Sequence, residues 1–372
     1  MGASSGTPER TALEKHECVA CGAQAEWIPA RMELACRFCG TVAPYELDAD
    51  SGKVEEIDLV ATLRELPDEL RGWQAEKSTV RCRSCDAVTV FDPEVVGKGC
   101  SFCGAPQLVS YDEIKPPIRP QSVLPFTFKK RDVEGAARAW FKKKWLAPNT
   151  FKRNAAVDRV RGVYVPYWTF DAHVDCPWTA DSGTYYWVTV MTRNSKGRMV
   201  PRRVRKVRWR PASGRVAHAF DDEPVPGTRS IEGRLLSKIE PFPTAESVPY
   251  DTGYLSGFAV EHYQVVLIDA AKAAEESMLV QVRAKCAAEV PGDTHRNLQI
   301  RPSFSGRTFK HLLVPVWILA YTYHGKRYML IANGRTGELA GRYPKSWWKI
   351  AGLVLLGLVA AGAVALLAIM LN

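Results

Sequence analysis

The chain has 372 residues, 46% of them hydrophobic and 24% charged, which is a globular composition with length for two or more domains. Its net charge of +10 is unevenly spread: residues 1–110 hold 11 Lys/Arg and 18 Asp/Glu, a balance of −7, so the remainder carries +17. An acidic first third is a poor match for a phosphate polyanion, whose binding rests on Lys and Arg.

In chain order, residues 1–12 are small and polar and read as a disordered start. Met1 to Arg10 lacks the apolar core of a secretory leader, so the expectation is a reducing, cytosolic setting. Residues 13–44 hold Cys18, Cys21, Cys36 and Cys39 in the pattern C-x2-C-x14-C-x2-C. Two thiolate pairs, each on a tight turn, suit tetrahedral Zn²⁺, and four thiolates close the shell against substrate. Disulfides are the alternative in an oxidising compartment. Glu26-Trp27-Ile28 and Met32-Glu33-Leu34 flank Pro29-Ala30-Arg31 as a short hairpin. Gly22 and Gly40 follow the second cysteine of each pair, where a positive φ turns backbone amides toward sulfur.

Residues 45–78 form an acidic connector, helical in part from Ile57 and interrupted by Pro67. Residues 79–110 repeat the cysteine spacing with Cys82, Cys85, Cys100 and Cys103, again with a glycine, Gly104, at the end. Asp86 takes the other glycine's place. Val88 to Phe91 and Val95-Val96 are its expected strands, joined at Asp92-Pro93. Two structural zinc sites are therefore expected.

Residues 111–344 read as a mixed or antiparallel α+β domain. Lys115 to Pro125 is its Pro-rich entry. A helix capped by Asp132 runs to about Leu146, burying Val133, Ala136, Ala137, Trp140 and Phe141. Val163 to Phe170 and Tyr185 to Thr192 are strands, and Asn194 to Gly197 a hairpin tip. A long helix from Ala270 to Glu289 follows Asp269. Leu312 to Tyr323 and Lys326 to Ala332 make a hairpin around His324-Gly325. Val165-Pro166-Tyr167-Trp168 is echoed by Val314-Pro315-Val316-Trp317, either as matching strands of one sheet or by convergence. Residues 345–372 are a juxtamembrane segment and anchor. Ile350 to Leu371 carries no charge over 22 residues, enough to cross about 30 Å of hydrocarbon at 1.5 Å per residue. Trp347, Trp348 and Lys349 suit an interface, and Arg335, Arg342, Lys345 and Lys349 place residues 1–349 on the cytoplasmic side. Gly357 and Ala361 permit a helix–helix contact and so a homo-oligomer.

Arg193, Lys196, Arg198, Arg202, Arg203, Arg205, Lys206, Arg208 and Arg210 form a basic run without an acid. It reads as an edge guarded against strand pairing, or as a contact for anionic lipid or an acidic partner, or for nucleic-acid phosphate. Cys176 and Cys286 lack partners at ligand spacing and read as small buried side chains. Asp221-Asp222-Glu223 reads as a loop without a second carboxylate pair. No phosphate loop, dinucleotide fingerprint, nucleophile elbow or HExxH motif occurs, and no enzyme is expected.

The order of parts, with Gly162 to Asp171, Tyr254 to Phe258, Leu313 to Trp317 and Asn333 to Gly337 between the tandem quartets and the terminal helix, resembles a bacterial family of membrane-anchored proteins with transcription-factor-IIB-like zinc ribbons. Members often carry primosomal or replication labels. The resemblance implies a place in the inner membrane beside SPFH/virion-core-like and phage-shock-protein-A-type stress systems, recruiting soluble partners. The expected function is a non-enzymatic zinc-ribbon adaptor. The alternative is a membrane-tethered nucleic-acid-binding protein using the ribbons or the basic hairpin, a class that the acidic ribbons disfavour.

Overall fold

The structure, a computed structural model, describes residues 16–42, 54, 56–65, 79–83, 87–90, 100, 102, 108–110, 118–148, 160–193, 197–323 and 326–370. Cys85, Asp86, Phe91 to Val96, Cys103, Gly104, Lys196, His324-Gly325 and the 1–12 start lie outside the described residues.

Ala25–Ile28 (β1) and Glu33–Cys36 (β2) form the expected first hairpin, with Ala25 opposite Cys36. Ile57–Asp58 (β3) opens a short helix, Leu59–Glu65 (α1), as the connector's pattern suggests. Asp58 Oδ1 accepts from Ala61 N at 2.7 Å and so satisfies one of its free donors. Thr79–Cys82 (β4), Val88–Val90 (β5) and Leu108–Ser110 (β6) form a three-stranded antiparallel sheet with β4 central. The strands flanking the quartet, β4 and β6, were not foreseen.

Ser122–Val123 (β7) precedes a helix, Lys130–Lys143 (α2). Its N-cap is Lys129, not Asp132, which sits in the first turn and there favours the helix dipole. Only Val133, Ala137 and Phe141 of the expected stripe are fully buried. Arg161–Arg193 (β8) and Met199–Pro226 (β9) follow as one long antiparallel hairpin. Next come Gly233–Leu236 (α3), Val248–Pro249 (β10), Ala259–Val260 (β11) and Leu267–Glu289 (α4). The long helix starts at Leu267, three residues before the expected Ala270, with Asp269 inside its first turn. Thr294–Ile300 (β12), Ser303–Tyr323 (β13), Lys326–Asn333 (β14), Leu339–Gly341 (β15) and Trp347–Met370 (α5) complete the chain.

The body is α+β around one curled, mixed sheet. β8 and β13 pair antiparallel at its centre, and β7 joins β13 and β11 joins β8 in parallel. The two Val-Pro motifs face one another, Val165 opposite Val314. Parity sorts the faces. Val163, Val165 and Tyr167 of β8 share one apolar cluster with Leu312, Val314, Val316 and Ile318 of β13 and with Leu235 and Leu236 of α3. Tyr164, Leu313 and Trp317 point the other way and meet Phe126, Phe141 of α2 and Leu319. Further along that second face, Trp168, Phe170, Ala172, Val174 and Cys176 meet Ala270, Ala274, Met278, Val282 and Cys286 of α4. With Leu267, three residues before Ala270, these four-residue steps are the stripe a helix needs to cover a sheet.

The two cysteine modules pack on opposite faces of this sheet. Ala25, Trp27 and Leu34 of the first join the α2 side. Cys82, Ala87, Cys100 and Phe102 of the second join the α3 side. Each module thereby completes the body's core instead of forming a separate unit.

Candidate metal centre and the surfaces around it

In the first quartet the backbone returns each cysteine pair to one point. Gly22 (φ +69°) and Gly40 (φ +74°) adopt the left-handed turns expected of them, and Gly22 N donates to Cys18 O and Gly40 N to Cys36 O. The four sulfurs lie within 4.8 Å of one another, with Cys18–Cys39 and Cys21–Cys36 each at 3.5 Å. A disulfide needs about 2.05 Å. Four thiolates bound to one ion at about 2.3 Å stand about 3.8 Å apart, close to what is observed. The set could hold a metal ion. Cys18 and Cys36 are buried, while Cys21 and Cys39 face solvent. Thiolate character is already favoured at two positions. The Thr41 hydroxyl and amide beside Cys39 bring it down to about 6 and the Cys39 and Phe38 amides lower Cys36, whereas, against the lowering contact of the Ala23 backbone, the Cys36 and Cys39 sulfurs push Cys21 up. Of the second quartet, Cys82 and Cys100 are described and fully buried, and none of the eight described cysteines is in a disulfide.

The first module is tied to the body by more than apolar contact. Trp27 N donates to Ser256 O at 3.1 Å, and Ser256 Oγ donates to Ala25 O at 2.6 Å. On the other face, Arg161 donates to Cys100 O at 3.1 Å and His262 N to Val88 O at 3.1 Å.

The basic run lies on β9 and the end of β8. Beyond Gly183, β8 pairs only with β9, so residues 183–193 and 199–210 project as a two-stranded arm. The sequence shows its cations and the aromatics of Tyr185 to Thr192, but not that the two are stacked. Arg205 sits over Tyr185 (4.2 Å), Arg203 over Trp187 (5.8 Å), Arg208 over Tyr186 (5.4 Å), and Arg296 of β12 over Trp209 (4.2 Å). Trp187, Met191 and Met199 are more than half exposed.

The α5 helix is long and apolar enough to cross a membrane, and its described side chains from Leu353 to Val364 are exposed. Its start is fixed to the body: Lys349 Nζ donates to Trp145 O and Ala147 O, and Ser346 N to Leu146 O. Tyr321, three residues beyond the Ile318–Arg161 pair, donates to Arg342 O. The helix thus leaves the end of the sheet where β8 begins. The arm starts 22 residues further along β8, about 70 Å of strand at 3.2–3.4 Å per residue.

Four arrangements were not found from sequence. Asp221-Asp222-Glu223 is part of β9, not a loop, at a bulge opposite Asp171, so a second carboxylate does meet it. Lys310, almost fully buried, lies 2.6 Å from Asp222 and 3.6 Å from Glu56. Its ammonium already serves as the cation of this cluster. Cys176 and Cys286 are buried as expected, but against each other, with sulfurs 3.7 Å apart between β8 and α4. Glu261 is wholly buried, and Thr228 and Ser230 hydroxyls donate to its Oε1. Its Oε2 has no hydrogen-bond partner among the described residues. Burial pushes its carboxyl up to about 8. On β13, His311 is buried, stacked on Trp168 and bonded through Nδ1 to Ile118 O; desolvation brings it down to about 3.

No family model matches the chain, and no solved structure matches it. It is similar to the uncharacterized protein YdjG of Bacillus subtilis (strain 168), 25% identical over 241 residues, which cover 64% of this chain and 68% of that protein.

Proposed function

We propose that this chain is a membrane-anchored, zinc-dependent adaptor that holds soluble proteins at the cytoplasmic face of a bacterial inner membrane and performs no chemistry of its own. The observation that carries the reading is continuity: one apolar core joins the first cysteine module to the sheet, and hydrogen bonds from Lys349 and Ser346 fix the root of α5 to the segment that follows α2. A rigid link of that kind transmits position, which is what an adaptor needs. Zn²⁺ held by Cys18, Cys21, Cys36 and Cys39, with a second ion on Cys82, Cys85, Cys100 and Cys103, would contribute the folding energy of two modules too small to fold alone. The resemblance to membrane-anchored tandem zinc-ribbon proteins supports partners of the SPFH and membrane-stress kind.

The test is a pull-down from solubilised membranes comparing the intact chain with Cys18→Ser/Cys21→Ser. Loss of a defined soluble partner with the variant is expected. Equal recovery from both would remove the first ribbon from partner docking.

A further inference from the structure

Phe38 and Phe102 occupy one position in the repeated motif, two residues after the third cysteine. Phe102 is 1% exposed and Phe38 is 80% exposed. The second module docks on the body through this knuckle: Phe102 enters the apolar cluster of Val163, Val165 and Val316, and Arg161 donates to the carbonyl of Cys100. The first module docks through its hairpin face instead, by Ala25 and Trp27, and turns the knuckle outward. Val19, in the other knuckle, is 72% exposed beside the same sulfurs. The first module thus displays a copy of a surface whose occupied form the chain itself shows. Its complement is an apolar patch bearing a guanidinium.

The arm has that chemistry. Trp187 opposite Arg205 and Thr189 opposite Arg203 share one face, which Met191 and Met199 extend by the two-residue alternation of each strand. Charge is complementary as well. Residues 16–42 carry Arg31 and Arg37 against Glu17, Glu26 and Glu33, and four thiolates on a divalent ion add −2, giving −3. The stretch from Gly183 to Arg210 carries nine cations and no acid. We infer that the Phe38 knuckle of one chain docks on the Trp187–Arg205 face of the arm of a second copy. The contact is heterologous, knuckle to arm, so it leaves one free knuckle and one free arm and propagates along the membrane instead of closing on itself as a two-fold dimer does. It rests on the metal-bearing reading of the first quartet, and metal content measured on the same samples separates loss of metal from loss of contact.

The experiment places the photo-crosslinker p-benzoylphenylalanine at position 38 of the full chain in detergent. Irradiation is expected to give a cross-linked dimer whose adduct maps within residues 183–210. Its yield should fall at least about fivefold between 0.1 and 0.5 M salt, as screening of exposed charges requires. A donor chain also carrying Trp187→Ala/Arg203→Glu/Arg205→Glu should cross-link to an acceptor with an intact arm and not to its own kind. With full metal content, absence of the dimer, an adduct elsewhere, or a yield abolished by nuclease would overturn the inference, the last by assigning the arm to nucleic acid. Metal-free protein that cross-links equally well would contradict it too.

Discussion

Trp27 and Tyr254 meet edge to face, ring centroids 4.6 Å apart, across the seam between the first cysteine module and the body. Both belong to one buried cluster with Leu255, Val260 and Leu319. The module therefore shares the apolar core of the α+β body. Trp27→Ala removes the largest side chain of the seam. A loss of about 3–5 kcal/mol is expected in denaturant unfolding, as for other buried Trp truncations, with metal content unchanged.

Metal removal follows from the same packing. Native mass spectrometry of the intact chain should find two zinc ions, and one in Cys18→Ser/Cys21→Ser. Because both modules complete the body's core, a chelator should lower the melting temperature of the whole body rather than unfold the ribbons selectively. An unchanged body transition after complete removal would refute this coupling.

The Gly162 to Asp171 segment carries a steric requirement at its first residue. A Cβ on Gly162 would lie 2.4 Å from Phe258 Cδ1 and 3.2 Å from Trp317 Cζ3. Phe258 has little room to yield, since it stacks on Phe126 at 4.2 Å. Gly162→Ala should cost about 1–3 kcal/mol by overpacking, seen as a lower denaturation midpoint at constant slope.

Glu261 sets a pH dependence. Its folded carboxyl titrates near 8 because burial disfavours the anion, against 4.5 for the free group. Between those values the folded state binds the extra proton, so this group's contribution falls as pH rises from about 4.5 to about 8. Glu261→Gln keeps a neutral side chain there. It should flatten the decline of stability between pH 5 and 8, measured by urea unfolding at several pH values, and an unchanged slope would show that Glu261 titrates normally.

The cysteine spacing, the hairpin around Pro29 and the apolar α5 were legible in the sequence because each is a local pattern. The arm's first strand, Tyr185 to Thr192, was legible too, from β-branched and aromatic content, whereas the strand that returns along it was not assigned. What escaped were relationships across long separations. The Asp171–Lys310 cluster joins residues 139 apart in sequence, and no periodicity marks such a meeting. The Cys176–Cys286 contact is of the same kind. The different fates of Phe38 and Phe102 also escaped, since identical spacing does not tell which face of a module will be covered. Asp132 and Asp269 were misread as caps because an acid in the first turn and an acid at the cap look alike in sequence.

The central claim is that this chain holds a soluble protein at a membrane. Its most direct measurement compares the proteins in the membrane fraction of cells making the full chain with those in cells making a chain that lacks residues 347–370. The account predicts that one defined set of soluble proteins leaves the membrane fraction and copurifies with the truncated chain in the soluble one. A membrane fraction unchanged in composition, with the truncated chain soluble and metal-loaded, would contradict it.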